Sequence, residues 1–129
     1  MEVNFFAVIA AALAAFVVGG VWYSPKLFGK LWAKHSNQPT EKKRHKPFVY
    51  LFSLLFYFIS AWAFALLIGP DATVLLAVYA GAAVGLLFVM MCFGINYLFS
   101  GRSVVLLLID GAYHIVQFLI YGLVLGLWH

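Results

Sequence analysis

Four apolar runs dominate the chain, at about 3–22, 48–68, 73–99 and 104–128. Each matches or exceeds the roughly 20 residues that carry a helix across hydrocarbon. The pattern predicts an all-α fold, a bundle of four transmembrane helices, with 1–129 as a single membrane domain. Polar punctuation separates the runs. Gly69-Pro70-Asp71 closes the second, because proline and glycine end a helix cheaply, and Ser100-Gly101-Arg102-Ser103 makes a tight loop before the fourth. Only Glu2 precedes the first run as a charge, without the basic head and short core of a secretory signal, so that run is read as a retained span.

Between the first two runs, about 24–47, the character changes. Ser24-Pro25 reads as a helix cap and first-turn pair. After it, Lys26, Lys30 and Lys34 fall on one side and Phe28, Leu31 and Trp32 on the other. This predicts a short amphipathic helix in the interface, its lysines on anionic headgroups and its aromatics sunk among acyl chains. Topology signalling alone explains the lysines equally well. From Asn37 to Lys46 the chain is polar and basic without apolar period, which predicts a mobile segment.

All eight lysines and arginines lie in this loop or at Arg102. Basic residues near span ends resist translocation, so both loops are expected in the cytoplasm and both termini outside it, in the inner (plasma) membrane. Composition agrees with the bilayer. Hydrophobic residues make up 66% and charged residues 9%, against about 25% charged in soluble domains. The net charge of +4 is spent on one juxtamembrane loop, for which lipid is a simpler partner than nucleic acid. A single cysteine, Cys92, excludes an intrachain disulfide and a thiolate-rich metal site. No phosphate-binding glycine loop, zinc-protease pair or serine-nucleophile elbow is found, so no enzyme activity is expected.

Within the spans, Ala11, Ala15 and Gly19 form a small-residue ridge on the first, with Asn4 and Trp22 on about the same meridian. At a uniform 100° or so per residue, Gly81, Gly85, Cys92 and Asn96 share one face of the third. Tyr50, Ser53, Tyr57 and Ser60 make a mildly polar side of the second. The fourth carries the sharpest pattern. Asp110, His114, Gln117 and Tyr121 fall at about 0°, 40°, 340° and 20° on the helical wheel. Lipid has no partner for such a stripe, so it is expected to face protein or trapped water. Two readings stand. One is a proton relay or polar binding site in which Asp110 fixes the tautomer of His114. The other is structural, with Asp110 paired to Arg102 or Asn96 and His114 satisfied by Tyr57 or Ser60.

Two longer segments carry a resemblance. Gly20-Val21-Trp22-Tyr23-Ser24-Pro25-Lys26-Leu27-Phe28-Gly29-Lys30-Leu31-Trp32, and Asn96-Tyr97-Leu98-Phe99-Ser100-Gly101-Arg102 with Leu108-Ile109-Asp110-Gly111-Ala112-Tyr113-His114, are similar to the signatures of a bacterial and fungal membrane family known as domain of unknown function 1761. The resemblance implies four spans and a small single-domain protein, and no mechanism. It brings three chain segments to the inner end of the bundle.

The functions expected from this reading are transport of a proton or small polar solute through Tyr23, Asn96, Asp110, His114, Gln117 and Tyr121, and accessory packing on a larger membrane complex. Transport by four helices calls for a homo-oligomer. Accessory packing calls for a partner membrane subunit. His114 could supply one axial ligand to a haem or chlorin metal, and bis-histidine ligation would require two chains or a partner, because no other histidine lies deep in a span. No cofactor is expected, and retinal is disfavoured because no span holds a lysine.

Overall fold

The computed structural model describes residues 3–36 and 45–128. Lys42, Lys43, Arg44 and most of the expected polar segment lie outside the described residues. Five helices follow in order: α1 Phe5–Trp22, α2 Gly29–Ser36, α3 Pro47–Ile68, α4 Val74–Ser100 and α5 Val104–Leu127. All but α2 are long and apolar enough to cross a membrane. The chain is an all-α, multi-pass membrane protein.

The ends of these helices are written locally. The Asn4 side chain accepts the Ala7 N–H at 3.2 Å, Thr73 accepts from Leu76 at 3.1 Å and Ser103 from Val105 at 3.1 Å, each relieving an orphan donor of a first turn. Pro47 opens α3, where a missing N–H costs nothing. Gly101 ends α4 in the left-handed region at φ 70°, a conformation that penalises any Cβ.

α5 is the central helix. Its buried residues run its whole length from Leu106 to Gly126, and α1, α2, α3 and α4 all pack on it. α1 packs through the predicted ridge, with Ala11, Ala15 and Gly19 buried. At Gly19 a Cβ would lie 2.7 Å from the Tyr113 hydroxyl, so glycine there makes room for a phenol of α5. α3 is the most peripheral span and leaves Leu51, Phe56 and Leu67 exposed to lipid.

Two features depart from the sequence reading. The residues after Ser24 form a turn, and α2 begins only at Gly29. The Ser24 carbonyl accepts from both Leu27 and Gly29, each at 3.0 Å, and Ser24 Oγ donates back to the Val21 carbonyl at 2.7 Å. Gly29 lies so close to this turn that a Cβ would meet the Tyr23 carbonyl and, at 2.8 Å, the Ser24 carbonyl group. That contact fixes the turn, so Ser24-Pro25 does not start the helix.

The second departure is in α4. Residues Val84–Val89 form a π-helical segment, whose wider turn inserts about one extra residue and rotates everything downstream by about 100°. Gly81 and Gly85 are buried as expected. Cys92 and Asn96, counted on the same meridian, are exposed instead. Their places toward α5 are taken by Met90, which meets Gly111, and by Tyr97, which is buried.

Candidate functional site

Asp110 is 7% exposed and stands six residues into α5, about 9 Å along its axis. Its carboxylate gathers three elements. Oδ1 accepts from the Tyr23 hydroxyl at 2.5 Å and from Trp32 Nε1 at 3.0 Å, and Oδ2 accepts from the Tyr97 hydroxyl. Tyr23 follows the end of α1, Trp32 lies on α2 and Tyr97 on α4. All three donors are neutral aromatics. Charge-assisted bonds of this kind are roughly twice as strong as neutral ones, and both carboxylate oxygens are engaged. Burial first, and then the Asp110 carboxylate beside it, push the Tyr23 phenol up, so it remains a donor throughout the physiological range.

Aromatic packing closes the cluster. Trp22 Nε1 donates to the Ile109 carbonyl at 3.1 Å, and Phe28 packs on Trp22 with ring centres 4.7 Å apart. Tyr23 meets Tyr113 and Trp32 edge-on at 5.6 and 6.3 Å. Trp32 and Phe28 therefore dock inward on the bundle rather than among acyl chains. Leu27 and Leu31 are the exposed apolar residues of this arm, and Lys26, Lys30 and Lys34 are exposed as well.

The stripe on α5 divides into two networks. His114 Nδ1 donates to Gln117 Oε1 at 2.6 Å, Gln117 Nε2 donates to the Tyr121 hydroxyl at 2.8 Å, and Tyr121 shares a 2.7 Å bond with Ser60 of α3 and bonds the Tyr57 carbonyl. Beside this row, Tyr113 bonds the Tyr57 hydroxyl and donates to the Ala15 carbonyl at 2.8 Å. The expected Asp110–His114 bond is not made: the imidazole turns to Gln117 and stacks on Phe93 at 5.0 Å, with ring planes 19° apart. Residues four apart share a helix face, but their short side chains diverge when stronger partners stand on neighbouring helices.

The structural reading also needs correction in its partners. Arg102 lies over the Tyr97 ring, 4.8 Å from its centre, and so touches the carboxylate's donor instead of the carboxylate. Asn96 faces outward, beside Phe88, Val89, Cys92 and Phe93, in a groove of about 280 Å³. His114 is met by neither Tyr57 nor Ser60, which serve Tyr113 and Tyr121. Of the six expected site residues, Tyr23 and Asp110 come together, His114, Gln117 and Tyr121 form a separate row, and Asn96 belongs to neither. Tyr97, Trp32, Trp22 and Tyr113 were missed as members. Each stands inside the signature segments, so motif membership was the available signal, and for Tyr97 the π-helical rotation hid it. Among the described residues no group of three or more His, Cys, Asp or Glu is placed to hold a metal ion.

Four apolar spans wrapped around an internally bonded polar cluster define a polytopic helical membrane protein. The chain belongs to the DUF1761 family: that family's model, described as a protein of unknown function, matches residues 6–126. No curated protein and no solved structure matches it.

Proposed function

We propose that this chain is a non-catalytic assembly subunit of the membrane, whose internal polar groups fasten its own helices and whose apolar flanks pack against other membrane segments. One observation carries the reading: the Asp110 carboxylate is bonded through both oxygens to donors from three other parts of the chain. A group so engaged holds the arm from Tyr23 to Ser36 on the bundle and leaves little freedom for a moving solute. The arm's exposed lysines, together with Lys46 and Arg102 at the same end, support the inner (plasma) membrane, with that end in the cytoplasm and the chain starting outside. They also suit anionic headgroups.

A second reading, movement of a proton or small polar solute, draws on the row His114, Gln117, Tyr121 and Ser60. That row covers about 10 Å of helix, roughly a third of the hydrocarbon thickness, and stops short of Asp110. Flux separates the two. Proteoliposomes of the purified chain, loaded with a pH-sensitive dye and given a pH step, are expected to relax at the rate of protein-free vesicles. Relaxation that speeds with protein content and is lost in Asp110→Asn or His114→Ala would replace the assembly reading with transport.

A further inference from the structure

The π-helical rotation that removes Asn96 from the interior sets it on an otherwise apolar flank. Asn96 is exposed, and around it lie Ile95 at 57%, Leu98 at 79% and Phe99 at 92% exposure. Apolar exposure therefore continues past Asn96 to the end of α4, which keeps this amide within the apolar band of the molecule. A carboxamide carries two donors and an acceptor, and acyl chains supply no partner for them. The internal hydrogen bond at this level goes to Tyr97, its neighbour.

The spacing around Asn96 is specific. Val89, Cys92, Asn96 and Phe99 advance by alternating steps of three and four residues, the seam of two coiled helices; Val89 ends the π segment, and Cys92, Asn96 and Phe99 lie in the regular α-helix that follows it. Phe88 and Ile95, both exposed, border the seam. A single asparagine on such a seam sets register. An amide is also self-complementary: two asparagines facing each other across a twofold axis exchange a pair of N–H···O bonds.

We propose that a second copy of this chain packs in parallel on α4 through Val89, Cys92, Asn96 and Phe99, with the two Asn96 amides paired across the axis. The proposal rests on the reading of the chain as an assembly subunit and names its partner. Cys92, one turn from Asn96, is the chain's only cysteine and lies on the same exposed side, so the native protein carries its own reporter.

The experiment oxidises the unmodified full chain in lipid vesicles with copper phenanthroline. A reductant-sensitive band at twice the 14.4 kDa chain mass is expected. Asn96→Leu lowers its yield about fivefold, the effect of one intramembrane hydrogen bond, and Asn96→Gln restores part of it. Phe99→Ala, at an exposed position that does not support the fold, lowers it independently. Val17→Cys, on the exposed face of α1 and combined with Cys92→Ala, gives no band. The proposal is overturned if the Val17→Cys, Cys92→Ala variant crosslinks as well as the native chain, if both Asn96→Leu and Phe99→Ala leave the yield unchanged, or if photobleaching counts one subunit per particle at every protein-to-lipid ratio. Single subunits without flux would defeat the dimer alone. Protein-dependent proton flux would defeat the assembly reading whether or not the chain dimerises.

Discussion

In the half of the α4–α5 contact nearer the start of α4 the two helices touch backbone to backbone. A Cβ on Gly81 would strike the Phe118 carbonyl, one on Gly122 would strike that of Ala77, and one on Gly126 would come within 2.8 Å of Val74 Cα. In the half nearer the α4–α5 loop the same helices stand apart. Gly94 has only the Leu107 methyls at 3.8 and 4.0 Å, and the space is bridged by Tyr97 reaching Asp110. Close backbone approach gains dispersion contacts without side-chain ordering, the usual means of association where lipid is as apolar as the protein. The loop end forgoes that and holds by hydrogen bonds, which need donors from several elements at once. It thereby captures α2, which no membrane-spanning contact would retain.

Substitutions that treat the halves differently sharpen the contrast. The largest effect is expected at Gly81→Ala, because the neighbour is backbone and cannot step aside. A loss of about 3 kcal/mol should appear as a lowered unfolding midpoint in detergent. Asp110→Asn keeps the shape but turns a donor toward aromatic donors. It should cost about 2 kcal/mol, and limited proteolysis should cut within 23–36 faster than in the parent chain. Unchanged cleavage would remove the carboxylate as the arm's fastening. Trp32→Phe deletes one of the three donors and should cost about 1 kcal/mol, with the same proteolytic signature in weaker form. Gly94→Ala is the smallest: the methyl enters ordinary van der Waals contact and improves helix propensity, so the midpoint should move by less than the equivalent of about 0.5 kcal/mol. A Gly94→Ala loss as large as that of Gly81→Ala would erase the distinction between the halves.

Much of the fold is visible in residue order alone, because each span must satisfy its own backbone in hydrocarbon and therefore announces itself by length and composition. The expected boundaries agree with α1, α3, α4 and α5 to within two residues. The site was legible only in part. Asp110, Gln117 and Tyr121 stand out as polar residues on a buried face, but the partners of Asp110 come from 13 to 87 residues away in sequence, and the helical pattern does not select Trp32 or Tyr97 among four tryptophans and seven tyrosines. His114 misled because shared helical phase with Asp110 was read as contact.

What the sequence by itself determined is the solvent, the number of spans, their ends and the location of the basic residues. These depend on transfer free energies and local backbone chemistry, which are summed along the chain. Tertiary structure alone decided which way the third span faces after Val84–Val89, and hence that Tyr97 closes on Asp110 while Asn96 turns to the exterior. Wheel counting assumes a constant turn per residue, whereas the π segment is stabilised by packing against α5, where a Cβ on Gly85 would lie 2.6 Å from Ile115 Cα. The inward docking of Trp32 follows for the same reason, because its partner Asp110 is distant in sequence and adjacent only in the folded bundle, whereas the turn at Ser24 is held by local bonds to Val21, Leu27 and Gly29.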